Sequence, residues 1–209
     1  MRSRKWLDQR VDLGVKLGLE NCKEILSRLD NPQNSFPSIH VAGTNGKGSL
    51  CAQLSSMSSA NGVKTGLFTS PHLVFPEERI RIDGRPIDSI QFDEAIRQVR
   101  IASEKYPECS PTYFETTFLA SMVAFRECGI QRAIIETGMG GRLDATILVD
   151  ADLAIFSFHP VKHIACGEGG MLTTNSKELY EKLMLLRTHG ITNNSLQENH
   201  GFWYYDMKE

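Results

Sequence analysis

The chain has 209 residues, 41% of them hydrophobic and 23% charged, with a formal net charge of -2. That composition suits a globular protein able to bury its own core, and it excludes both a disordered chain and a sequence-wide attraction to nucleic acid. Five cysteines (Cys22, Cys51, Cys109, Cys128, Cys166) include no CxxC pair, so reduced thiols in a cytoplasmic protein are expected rather than a disulfide frame or zinc site.

In chain order, Trp6, Leu7, Val11, Leu17, Leu19, Ile25, Leu26 and Leu29 recur at helical spacing. They predict one or two helices, loose around Gly14 and Gly18 and ended by Asp30-Asn31-Pro32. The basic start MRSRKWLDQR has no apolar signal core after it, and no window approaches the ~20 apolar residues of a membrane span. A strand is predicted at 38–42, then a glycine loop, then a helix from Ser49 to Ala60 closed by Asn61-Gly62. A second strand follows at 64–69, a Pro-marked loop at 70–78, and a small hairpin around Asp83-Gly84. Helical patterns cover 92–105 and 114–128, and a short strand at 132–136 ends in Glu136 before another glycine loop at 138–141. After Asp150 come a strand at 151–158, a turn at 167–170, a strand at 171–174 and a helix capped by Ser176. Strands alternating with helices predict an α/β fold: a three-layer phosphate-loop domain with a mostly parallel sheet, followed by a short α/β fragment.

The loop Gly43-Thr44-Asn45-Gly46-Lys47-Gly48-Ser49 lies between a strand and a helix, the context a phosphate loop requires. Its glycines let backbone N–H groups turn on an anion, Lys47 would reach the outer phosphates, and the Ser49 hydroxyl can ligate Mg²⁺. The spacing departs from G-x-x-x-x-G-K-[ST], with Val41 at the first glycine position and Gly48 between lysine and serine. A glycine-rich turn with an exposed lysine remains the alternative. Glu136, at a strand's carboxyl end, is placed either to hold the same Mg²⁺ or to cap a helix in solvent.

Seven ordered blocks are similar to the N-terminal domain of the folylpolyglutamate synthase/dihydrofolate synthase family of the Mur ligase superfamily, over residues 4 to about 150. They are Leu19-Glu20-Asn21, Asn31-Pro32-Gln33, HVAGTNGKGS from His40, LFTSPHL from Leu67, ERIRIDG from Glu78, TYFE from Thr112 and ETGMGGRLDAT from Glu136. The resemblance implies a ligase that uses Mg-ATP to form an acyl phosphate on a folate or pteroate carboxylate, which the amine of glutamate then attacks. It implies that Lys47, with the backbone of Gly46 and Gly48, holds ATP phosphates, and that Ser49, Ser70 and Glu136 approach Mg²⁺. Ser70, Pro71 and His72 fall in a mobile loop flanking the folate site, and Phe114, Glu115, Arg142 and Asp144 on substrate-side motifs. Phe114 as helix core and an Arg142–Asp144 pair are the structural alternatives. Ile147 stands where the family has asparagine, and the family's later histidine, lysine, adenine-binding segment and C-terminal domain find no counterpart after it.

From about Ala151 the segment DLAIFSFHPVKHIACGEGGMLTTNSKELYEKLMLLRTHGI resembles the DegT/DnrJ/EryC1/StrS sugar aminotransferases. That resemblance implies Lys162 as the pyridoxal-phosphate lysine and Ser157 as a cofactor-phosphate contact. On its own chemistry Lys162, flanked by His159 and His163, reads as a solvent-exposed loop lysine. The expected organisation is a Mur-ligase-like ATP-binding domain at 1–150 joined to an aminotransferase-like fragment at 151–209. Small-molecule substrates are the expected partners, with no nucleic acid and no membrane, and Trp203, Tyr204 and Tyr205 form a candidate self-association cluster. Three functions compete: the ligase, a pyridoxal-phosphate aminotransferase, and a nucleotide-binding module without catalysis.

Overall fold

The computed structural model describes residues 2–14, 18–139, 143–158, 166, 169–188, 191–192 and 206–207. Two compact units divide the chain, Met1–Leu172 and Thr173–Glu209.

The N-terminal helical pattern resolves into α1 (Arg2–Asp8) and α2 (Glu20–Arg28), with a 3-10 turn at Val11–Leu13 between them. Gly14 and Gly18, at φ 61° and 130°, break the helix between the two, a backbone state other residues adopt at a cost. Arg4 pins α1 through Glu77 at 2.5 Å and Asp93 at 2.7 Å. The strands β1 (Ser38–Ala42), β2 (Thr65–Phe68), β3 (Ile80–Ile82), β4 (Arg85–Pro86), β5 (Arg132–Glu136), β6 (Leu153–Ser157) and β7 (Gly170–Thr173) form one sheet in the order β4-β3-β2-β5-β1-β6-β7. β2, β5, β1 and β6 run parallel, and β3 and β4 add an antiparallel edge.

Alternation along the strands builds two cores. Val41, Leu67 and Ile134 meet Cys51 of α3 (Lys47–Ala60) on one face. Phe68, Ala133 and Ile135 meet α4 (Ser89–Glu104) and α5 (Tyr113–Cys128) on the other. This is the expected three-layer architecture. Residues 115–125 of α5 are all buried, as an apolar helix between two layers must be. Its first turn closes with a capping box: Glu115 accepts from the Thr112 N–H at 2.7 Å, and the Thr112 hydroxyl accepts from the Glu115 N–H at 3.3 Å.

Register gathers the site. Val41 lies opposite Glu136 and Ala42 opposite Phe156, so the carboxyl ends of β1, β5 and β6 share one edge. The chain leaves β1 through α3 to β2 on one side, and β6 lies on the other, which opens a switch-point crevice at β1. Helix α3 begins at Lys47, two residues before the expected Ser49, because Gly46 at φ 76° serves as its N-cap.

In the second unit, α6 (Lys177–Arg187) follows the Ser176 cap, whose hydroxyl accepts from the Leu179 N–H at 3.2 Å, and β8 (Ile191–Thr192) pairs with β9 (Asp206–Met207). Lys177 and Glu181 meet one turn apart on that helix at 3.8 Å.

Candidate functional site

The glycine loop leaves β1 and delivers the first N–H groups of α3 to the sheet edge. Those groups have no partner within the helix, and Gly46 supplies no side-chain cap. The first turn therefore presents free donors and the positive end of the helix dipole. The Lys47 side chain is largely buried there; its Nζ lies 3.9 Å from Glu136 Oε1 and 3.5 Å from the Thr44 carbonyl. Gly43 is half-buried, and Thr44, Asn45 and Gly46 are exposed.

Glu136 is 5% exposed and accepts from the Ser70 N–H at 2.9 Å. Burial raises its pKa, and the Ser70 N–H and Lys47 only partly offset that. A Cβ on Gly48 would sit 3.7 Å from Glu136 Oε1, so the bare backbone and the carboxylate face each other across a narrow gap. One buried carboxylate, nearby hydroxyls and a cradle for phosphate suit Mg²⁺, which binds through few protein ligands and keeps its waters and phosphates. The described residues contain no cluster of three or more His, Cys, Asp or Glu able to hold a metal by themselves. Ser49 is exposed in the first turn of α3, and Ser70 is half-buried beside Glu136.

Two cavities flank the loop. One of about 220 Å³ is lined by Gly43, Gly46, Lys47, Phe156 and Ser157. Ser157, half-buried at the end of β6, thus lies beside the phosphate loop. The other, of about 540 Å³, holds Gly48, Ser70, Pro71 and Glu136.

The loop at 70–78 is tied down by charge. The Glu78 carboxylate accepts from the N–H groups of Leu73, Val74 and Phe75 at 2.9–3.0 Å, which lowers its pKa and leaves those three apolar side chains exposed. Arg79 Nε donates to His72 Nδ1 at 2.9 Å, so His72 is neutral, with its proton on Nε2. Burial and Arg79 lower the His72 pKa. The Arg79 guanidinium also stands 5.1 Å from the Tyr113 ring. Phe114 packs 5.8 Å from Phe68, and its ring edge lies 2.6 Å from where a Cβ on Gly138 would be.

Asp144 is 7% exposed and spends both oxygens on its own loop: Oδ2 accepts from the Met139 N–H at 2.8 Å, and Oδ1 from the Thr146 N–H at 3.0 Å and the Thr146 hydroxyl at 2.5 Å. Glu115 is buried in the capping box. Thr146 continues inward to His40, whose Nε2 lies 2.9 Å from both the Thr146 and Thr137 hydroxyls. The motifs assign no role to His40, Thr137, Arg79 or Arg81, although all four stand inside the quoted blocks. Only their convergence in space marks them. Arg142, His159, Lys162, His163, Trp203, Tyr204 and Tyr205 lie outside the described residues.

Comparison with known proteins bears on both halves. A probable dihydrofolate synthetase of Schizosaccharomyces pombe is 39% identical over 132 residues, covering 63% of this chain and 31% of its own length. The dihydrofolate synthase/folylpolyglutamate synthase of Bacillus subtilis is 35% identical over 159 residues, covering 74% of this chain and 37% of its own. A solved structure, E. coli FolC in complex with DHPP and ADP, superposes with a TM-score of 0.67 at 36% identity, over 73% of this chain and 37% of that one. The first part of the chain is homologous to this ligase family, and the chain spans about a third of the length of the curated relatives it matches. The DegT/DnrJ/EryC1/StrS aminotransferase family matches residues 147–208. The two likenesses overlap. The match to the Buchnera aphidicola ligase covers 79% of the 209 residues, about 165, so it passes residue 150 wherever it begins.

Proposed function

We propose that this chain is the nucleotide-binding portion of a folylpolyglutamate synthase/dihydrofolate synthase, and that it joins L-glutamate to a folate or pteroate carboxylate through an acyl phosphate at the expense of Mg-ATP. The observation that carries this reading is the meeting of Lys47, Gly48, Ser70 and Glu136 at the carboxyl edge of the sheet, within a sequence homologous to ligases solved with ADP, or with Mn, AMPPNP and L-glutamate.

The α3 N–H groups and Lys47 would bind the outer phosphates of ATP and orient the terminal one. Glu136, with Ser49 and Ser70, would hold Mg²⁺, which supplies neutralisation of phosphate charge when bound. Transfer is needed because a bare carboxylate is a poor electrophile, whereas an acyl phosphate carries a good leaving group. Phe114 and the 70–78 loop would position the pterin-bearing substrate, with Pro71 and His72 at its edge; the family's motifs assign Arg142 and Asp144 to the same substrate. The chemistry belongs to the cytoplasm, where ATP and reduced thiols coexist.

The aminotransferase match supports a second, subordinate reading in which Lys162 holds pyridoxal phosphate. Ser157, its companion in that reading, lines the cavity of the glycine loop.

The test is ADP release by the purified chain. ADP formation that requires both the folate and glutamate, and that drops at least ~10-fold in Lys47→Ala, is expected from loss of a charge-assisted contact. ATP binding without such turnover would replace the ligase by a nucleotide-binding module.

A further inference from the structure

The bonds around His40 form a connected set whose protons can be placed. Asp144 accepts from two N–H groups and one hydroxyl, and a carboxylate supplies no proton to any of them. The Thr146 hydroxyl therefore spends its one proton on Asp144 Oδ1, at 2.5 Å. Toward His40 it can only accept, so the proton of that 2.9 Å contact sits on Nε2. The same N–H lies 2.9 Å from the Thr137 hydroxyl oxygen. His40 is thus a donor that two threonines share, and its neutral form carries the proton on Nε2 rather than Nδ1.

Thr137 and Thr146 are both buried and bracket the glycine loop at 138–141, so one imidazole from β1 holds both ends of that loop. Thr137 is also the residue after Glu136. Its N–H donates to the Val41 carbonyl at 3.0 Å, which carries the β1–β5 pairing past the carboxylate. Side chains alternate along an extended chain. Glu136, opposite Val41, faces α3 and the phosphate loop, while Thr137 turns to the other face of the sheet, where His40 stands. Pinning Thr137 on one face fixes the direction of Glu136 on the other. The partners of the Glu136 carboxylate itself, the Ser70 N–H and Lys47, belong to the loops that a nucleotide and its metal would engage.

We infer that His40 is a positioning residue of this edge: by donating from Nε2 to Thr137 and Thr146, it holds Glu136 in line for the divalent cation that a nucleotide brings. This rests on the ligase reading, which places Mg²⁺ at Glu136. Groups behind a metal's ligands decide how those ligands are presented, and losing one typically costs about 10–100-fold in metal affinity. The imidazole acts through Thr137 and not on the phosphate cradle. Its loss therefore falls on the metal's share of nucleotide binding and leaves the share of Lys47 and the α3 N–H groups in place.

The experiment is calorimetric titration of the full chain with ATP, once with Mg²⁺ and once with EDTA, read as the ratio of the two affinities. The wild type should bind ATP more tightly with Mg²⁺. His40→Leu should lose ~10-fold or more of the Mg-ATP affinity and keep the metal-free affinity. His40→Gln, whose side-chain amide can donate where Nε2–H did, should retain most of the Mg²⁺ gain. Thr137→Val deletes one hydroxyl with little change of shape; it should lose the gain as His40→Leu does, and it stands in if that variant does not fold. Ile96→Val, a core change in α4, should lower the urea midpoint and leave the gain alone. Ring ¹⁵N shifts of His40 at pH 8 should show the proton on Nε2. An undiminished gain in a folded His40→Leu or Thr137→Val, a His40→Gln no better than His40→Leu, or a ring proton on Nδ1 would overturn the inference. A wild type whose ATP affinity ignores Mg²⁺ would remove the metal site and this inference with it, whereas a Mg²⁺ gain that no His40 variant changes would remove the inference alone.

Discussion

Glu136 shows how much a single residue's surroundings decide. At a strand end it reads equally as a solvated cap, yet 5% exposure and 3.9 Å to Lys47 make it the buried counter-charge of the loop. Gly138 is the sharper test at this scale. A methyl group there would meet the Phe114 ring at 2.6 Å and Asp144 Oδ2 at 2.9 Å, both held by packing or hydrogen bonds. Gly138→Ala should therefore lower stability by ~1–3 kcal/mol, the usual cost of overpacking, and read as a lower urea midpoint; an unchanged midpoint would show that Phe114 moves freely. The sequence made the loop legible down to Lys47, because glycine spacing encodes backbone conformation directly. The family motifs put Glu115 and Asp144 on the substrate side, whereas their carboxylates are absorbed by a helix cap and a turn, contacts that residue identity does not announce.

Among the elements, β1 is tied to the turn at Ala145–Leu148 by one buried imidazole. His40 is 4% exposed and bonded through Nε2 to Thr146 and Thr137, and burial lowers its pKa. His72 is shifted the same way at the 70–78 loop. A depressed histidine pKa means the unfolded chain takes the proton first, near pH 6.5. Stability from these groups is therefore full above about pH 6.5 and declines as pH falls toward the folded pKa values. Urea midpoints should be level from pH 8 to 7 and drop by pH 5.5, with a slope of up to ~1.4 kcal/mol per pH unit for each histidine. His40→Gln should flatten part of that slope; an identical slope in the variant would remove His40 as its source. Strand and helix positions were largely readable from period and caps, as at β5, found where the sequence places it. Helix α3 starts two residues before Ser49 because the deciding feature is the φ of Gly46.

For the whole molecule, the sheet edge unites pieces with two resemblances. β6, within the aminotransferase match, pairs with β1, and Ser157 reaches the cavity of the ligase-like loop. Sequence could suggest a change of pattern near Asp150, but a strand's partner in a sheet is set by long-range pairing that no local pattern records. Binding of Mg-ATP at this edge is measured by calorimetric titration of the full chain beside Lys47→Ala. Saturable binding by the wild type, weakened at least ~10-fold in the variant, is the predicted result. A folded wild type that takes up no Mg-ATP, or a Lys47→Ala variant that binds it as tightly, would show that the edge is not a nucleotide site built on Lys47.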